Sequence, residues 1–296
     1  MHTLHNDLLK INIKPKGAEL CNITSVKNKT EFMWQADPKF WGSHAPNLFP
    51  IIGCMKDDSY IYNNKSYHMP KHGFARHNNN FTIKNQTDTS ITFSLVSDDE
   101  LYKYYPFLFE FEITYTFSGN TLTINHTITN SDEKTLFFSL GGHPAFNCPL
   151  SKDEDYTDYY LEFEHSENSP SYVLNMDNGL LTNETKPVFK EGNKINLRPD
   201  LFNEDALIFK NLTSRVVSLT HKTKGKVLTL SFKDFKQLGI WAKPNAPYVC
   251  IEPWLGIADN ETTDQNIETK EGILSLKAGS VFNASYSIEI EQSHLV

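Results

Sequence analysis

The run Phe109-Glu-Phe-Glu-Ile-Thr-Tyr-Thr-Phe117 alternates apolar and polar side chains without a break. A strict period of two is the pattern of a strand with one face buried and the other wet, as in an antiparallel sheet. Ser118-Gly119-Asn120 interrupts the run with turn residues. Leu122, Ile124 and Ile128 then resume it, which predicts an antiparallel hairpin. Further short strands are predicted at Ile91–Leu95, Tyr160–Phe163, Val216–Leu219, Val227–Phe232 and Tyr286–Ile290. No long amphipathic helix competes with them. Asp99–Tyr105 reads as a helical turn before Pro106, and Asn260–Gly272 as a loop with a short helix. Many short strands between turn signals predict an all-β fold, an antiparallel β-sandwich or barrel. No linker, composition shift or fixed-period repeat divides the chain, so one domain over residues 1–296 is expected.

Composition narrows the function classes. The formal net charge is −8 with no basic stripe, which argues against a nucleic-acid partner. The acidic run at 152–158 is most simply a solvated loop. The four cysteines, Cys21, Cys54, Cys148 and Cys250, are widely spaced and form no C-x-x-C pair, so they read as reduced thiols rather than a disulfide framework or a zinc site. The first twenty residues contain no long apolar run. The expectation is therefore a cytoplasmic protein with no membrane partner.

Four punctuated segments combine Pro or Gly with potential catalytic groups and aromatics: Ala45–Gly53, Met69–Arg76, Ser139–Asn147 and Val249–Gly256. Loops on a β scaffold are where function concentrates. In Ser139-Leu-Gly-Gly-His-Pro-Ala-Phe-Asn147, the glycine pair is expected to adopt angles other residues avoid, and Pro144 holds His143 extended. An imidazole fixed this way can exchange protons near neutral pH. Glu252 follows the apolar strand Tyr248–Ile251, and Pro253 is expected to end the ladder. The carboxylate is then either a desolvated base or a strand-end group facing water. His72, before Gly73, is either a turn histidine bonded to backbone or a donor to a ligand oxygen. His68 and His72 have metal-ligand spacing for a helix, but Pro70 and Gly73 oppose a helix there. No H-E-x-x-H occurs, and no metal is expected. There is no G-x-S-x-G, G-x-G-x-x-G or P-loop sequence, so neither a serine-nucleophile elbow nor a nucleotide cofactor is predicted. What remains is an acid–base set with flat aromatic surfaces, suited to a small polyhydroxylated ligand.

These segments, with Gly17-Ala-Glu-Leu20, resemble the aldose 1-epimerase (galactose mutarotase) family over nearly the whole chain, and in particular its bacterial branch that includes the LacX proteins. The resemblance implies the large galactose mutarotase-like supersandwich, a sugar as partner and no cofactor. It also implies roles. Glu252 matches the general base and His143 the general acid. His72 matches a second histidine near the ring oxygen, and Asp205 a substrate-binding aspartate, with neighbouring Glu204 leaving that placement open by one. Phe146 and Trp254 would be the stacking aromatics. Relatives often carry arginine just after the Phe-Pro-x-x-Gly glycine. Here Cys54 stands there and cannot supply a fork of donors; Lys56 or Arg76 is the candidate replacement.

The implied chemistry interconverts the α and β anomers of a free aldohexose. Glu252 takes the C1-hydroxyl proton while His143 protonates the ring oxygen; the ring opens, C1–C2 rotates and closure follows on the other face. The expected starting state pairs a Glu252 carboxylate with a His143 imidazolium. Two alternatives are a hexose-6-phosphate mutarotase and a non-catalytic carbohydrate-binding protein on the same fold. The assembly expected is a monomer or weak homodimer.

Overall fold

The computed structural model describes residues 1–190 and 192–296. The hairpin is formed as the alternation requires. Phe109–Ser118 pairs antiparallel with Thr121–Asn130, and the apolar residues Phe111, Ile113, Tyr115, Leu122, Ile124 and Ile128 are all buried. This hairpin lies within a nine-stranded antiparallel sheet. The strand order is Lys194–Asn196, Tyr159–Phe163, Val216–His221, Gly225–Ser231, Val281–Ile290, Thr121–Asn130, Phe109–Ser118, Ser90–Val96 and Thr82–Gln86. Each of the other predicted strands lies within or overlaps one of these.

A second, eight-stranded antiparallel sheet is built around Tyr248–Leu255. That strand has Gln237–Trp241 on one side, and Leu140–Gly142 and Ala145–Asn147 on the other. The two sheets face each other. Phe49 stacks on Phe111 at 4.6 Å, and Asn47 beside Gly142 donates to Tyr115 and meets His126 Nε2 at 3.1 Å. Burying a row of aromatics from both sheets supplies the apolar area that holds a sandwich together.

Three local expectations change. Asp99–Tyr104 is helical, capped by the Asp98 side chain accepting from Leu101 N, but 260–272 forms turns and two isolated bridges with no helix. Pro253 does not end the ladder: the strand runs to Leu255, and Pro253 pairs with Leu238. Gly141 and Gly142 keep ordinary strand angles. Their value is space: a Cβ on Gly141 would lie 2.8 Å from Trp254 Cδ1, and one on Gly142 would lie 2.6 Å from the Tyr286 hydroxyl. Among the described residues, no helix is long and apolar enough to cross a membrane.

Candidate active site

The Tyr248–Leu255 strand is buried on both faces. Alternation sends Val249, Ile251 and Leu255 one way and Tyr248, Cys250, Glu252 and Trp254 the other. Its neighbour places Trp241 opposite Cys250 and Gly239 opposite Glu252. The absent side chain at Gly239 matters, because a Cβ there would lie 2.4 Å from the Trp254 ring. Trp254 therefore lies flat across its neighbour, and Glu252 stands in a pocket of about 250 Å³.

His143 enters the same pocket from the break between Leu140–Gly142 and Ala145–Asn147, both paired to the Glu252 strand. Its backbone N–H donates to Pro46 O at 3.0 Å, and Ile251 N donates to Pro144 O at 3.2 Å. Thus the Gly-Gly-His-Pro sequence makes a break between two short strands of one sheet rather than a projecting loop. Trp41 stacks on the His143 ring at 4.7 Å, while Trp241 and His72 approach edge-on at 6.0 and 5.7 Å.

His143 Nε2 lies 3.2 Å from Glu252 Oε2. The approach is not aligned as a hydrogen bond, and Glu252 Oε2, Trp254 Nε1 and His143 Nδ1 have no partner among the described residues. Glu252 is only 1% exposed. Burial pushes its carboxyl well above the usual carboxylate range, with Asp205 adding to the rise and Lys71, Trp254 and Arg76 opposing it. Burial likewise lowers His143 to about 3, with Arg76 contributing. Desolvation thus outweighs mutual attraction. Burial thus works against the expected carboxylate–imidazolium pair and toward a carboxylic acid beside a neutral imidazole. One proton on two buried groups at this distance can be handed to a ligand or taken from it.

His72 adopts φ +65 and is buried. Its backbone N–H donates to Gly53 O at 2.8 Å, and Gly53 N donates to His72 Nδ1 at 3.1 Å. With Nδ1 accepting, the neutral ring carries its proton on Nε2, which is left as the donor available to a ligand. Burial first, and then the nearby Lys71 and Arg76, lower the His72 pKa well below the usual histidine range. The backbone-bonded reading of this residue is the one its contacts show, and that bond leaves Nε2 unused.

Asp205 lines the pocket at φ +67, with Oδ1 accepting from Ala206 N at 2.7 Å. Glu204 instead points outward to Lys186 at 2.9 Å, which resolves the one-residue ambiguity. Arg76 and Trp254 line the pocket as expected. Lys56 and Phe146 do not. Lys56 Nζ is tied to Glu261 O at 3.0 Å outside the pocket. Phe146 pairs with Val249 and is fully buried in the core, because its place in a two-sided buried strand turns its ring away from the ligand.

Sequence reasoning missed Trp41, Trp241 and Lys71, all of which line the pocket. Trp241 was accessible through strand parity once the Gln237–Trp241 pairing was known. Lys71 directly precedes His72, whereas Trp41 sits on an irregular segment with no local signal. Cys54 follows the lining residue Gly53 and packs on the lining residue Gly179, where a Cβ would come within 2.8 Å of its sulfur; burial raises its thiol pKa. Among the described residues, one cluster, His143, Cys250 and Glu252, brings three potential metal ligands within 4.8 Å. Burial raises both the Cys250 thiol and the Glu252 carboxyl, so the cluster favours holding protons over holding a cation.

Comparison with known proteins shows the family and the fold. The family model described as aldose 1-epimerase matches residues 1–288. The plasmid form of protein LacX from Lactococcus lactis subsp. lactis is 34% identical over 297 residues, covering 97% of this chain and 98% of its own. A solved galactose mutarotase related enzyme from Lactobacillus acidophilus is 38% identical with a TM-score of 0.90, covering 98% of this chain and 97% of its own. A galactose mutarotase-like protein from Lactobacillus casei ATCC 334 is 31% identical with a TM-score of 0.91, covering 98% and 100%. With a family match over nearly its whole length and the same sandwich in its solved relatives, the chain belongs to the aldose 1-epimerase family.

Proposed function

We propose that the protein interconverts the anomers of a free aldohexose, with Glu252 and His143 exchanging protons with the sugar. The observation that carries this reading is the buried pair at 3.2 Å in a pocket lined also by His72, Lys71, Arg76, Asp205 and three tryptophans. The pocket volume suits one monosaccharide ring rather than a longer glycan, since small-molecule pockets start near roughly 300 Å³. Flat indole faces cover C–H surfaces, while His72 Nε2–H and the Asp205 carboxylate suit hydroxyls.

Ring opening moves the C1-hydroxyl proton to Glu252 and the His143 proton to the ring oxygen. That leaves a carboxylic acid and a neutral imidazole beside the open-chain aldehyde. Burial of both groups favours that same protonation state, which matches the site to the middle of the reaction. At the start, hydroxyls of the bound sugar supply the hydrogen bonds that the orphaned Glu252 Oε2 lacks, which favours the carboxylate. After rotation about C1–C2, the reverse transfers close the ring.

Lys71 and Arg76 both line the pocket, and among the described residues neither has an ion-pair partner. They offset the absence of a cation at Cys54. They also favour a second reading, a sugar bearing a 6-phosphate. Polarimetry of freshly dissolved α-glucose, α-galactose and their 6-phosphates tests both. Faster equilibration with wild type and near-background rates with Glu252→Gln are expected. Saturable sugar binding without acceleration would instead make the protein a binding module.

A further inference from the structure

Asp259 and Lys270 lie outside the proton-transfer pair, yet form an ion pair at 2.6 Å with both side chains only 2% exposed. A buried pair of this kind is often no more stabilising than apolar residues of the same size, so its retention calls for a reason other than stability. The contacts of Asp259 converge on one segment. Oδ1 takes Lys270 Nζ, and Oδ2 accepts from Lys56 N at 3.0 Å. Its backbone N–H donates to Cys54 O at 2.9 Å, and its carbonyl accepts from Leu181 N at 2.8 Å. Just before it, Ala258 lies so close to Gly53 that a Cβ on the glycine would stand 2.5 Å from the Ala258 Cβ. Gly53 is the residue whose N–H donates to His72 Nδ1 and whose carbonyl accepts from His72 N. An unbroken path of short contacts thus links the buried pair to the tautomer and position of His72.

We propose that Asp259 and Lys270 are positioning residues, a clamp that holds segment 53–56 so that Gly53 fixes His72 with its Nε2–H free to donate to the ligand. The clamp's effect on turnover rests on the sugar-contact role proposed for His72; its effect on the histidine itself does not. Lys270 holds the Asp259 carboxylate in place, and the carboxylate holds Lys56 N. The glycine at position 53, at φ +69, is then free to press against Ala258 and aim its own N–H at the imidazole.

The test uses ¹⁵N-histidine-labelled full chain, with His72 assigned by its loss in His72→Gln. The double variant Asp259→Leu/Lys270→Met removes the charges and the acceptor for Lys56 N and leaves apolar side chains in both places. Expected are His72 ring nitrogens moving from a single Nε2–H tautomer toward a mixture, and KM rising about tenfold with kcat within about threefold, the scale of one misplaced hydrogen bond. Asp259→Asn/Lys270→Met, which keeps an oxygen for Lys56 N, should restore both readouts. If the first variant does not fold, Lys270→Met alone should move them in the same direction, since the carboxylate loses its counter-ion. Wild-type His72 signals and KM in the folded variant, or no rescue by asparagine, would overturn the clamp. The nitrogen shifts need no sugar, so they still decide the question if the epimerase reading fails.

Discussion

Glu19 offers a stability test worked from its contacts. Its carboxylate is 3% exposed and accepts from Lys14 Nζ at 2.5 Å, from His44 N at 2.6 Å and from Ala45 N at 3.1 Å. Burial alone would raise its pKa, but the bonds from His44 and Lys14 prevail and hold it at about 2, against an ordinary 4.5. The unfolded chain therefore binds this proton more readily than the folded one. The resulting stability is fully present above pH 4.5 and is lost as pH falls toward 2. The whole contribution is about 3 kcal/mol, of which about 2 kcal/mol has gone by pH 3. Urea unfolding of wild type and Glu19→Gln at pH 7 and pH 3 measures it. The variant should be less stable at pH 7 by about 2–3 kcal/mol, and its loss between the two pH values should be smaller than that of wild type by about 2 kcal/mol. Equal losses in the two proteins would refute the reasoning. The site should feel the change too, because Glu19 holds the His44–Ala45 backbone and the next carbonyl, Pro46 O, anchors His143.

The proposed pair should also set the pH profile. Activity needs one proton on Glu252 and His143 together. Because His143 is lowered to about 3, kcat/KM should not fall as pH is lowered from 7 to 5, whereas the raised Glu252 sets the loss of the shared proton above the ordinary carboxylate range. A loss of activity on acidification centred at pH 6.5 would contradict the assignment. Trp41→Leu should lower kcat/KM about tenfold with little change in fold, since it removes the indole face from His143; an unchanged value by polarimetry would count against any role for the stack. Gly142→Ala should cost about 1–3 kcal/mol in urea unfolding, because the new methyl group meets the buried Tyr286 ring.

The fold was legible where the chemistry is local. Alternation at Phe109–Phe117 reports burial directly, and the hairpin followed from it. At the site, His143, Glu252, His72, Asp205, Arg76 and Trp254 all reach the pocket, whereas Lys56 and Phe146 do not. The misses share one cause: the direction of a side chain depends on which partner strand covers it. Phe146 sits in a motif with His143, but pairing with Val249 turns it into the core. Trp41 stacks on His143 from an irregular segment far away in sequence, and only tertiary contact reveals it. The pull of burial on both groups was out of reach for a related reason. Charge attraction between two residues can be anticipated from their types, but complete burial of both is a property of the assembled sandwich.

The central claim is that the Glu252–His143 pair opens and recloses a sugar ring. Exchange NMR on an equilibrated aldohexose, reading transfer between the α and β anomeric protons, tests it most directly. Wild type should give exchange cross-peaks at catalytic protein concentration, and Glu252→Gln and His143→Ala should each reduce them to the level of buffer while remaining folded. Undiminished exchange in folded Glu252→Gln, or none in wild type under conditions where the sugar and its 6-phosphate bind, would contradict it.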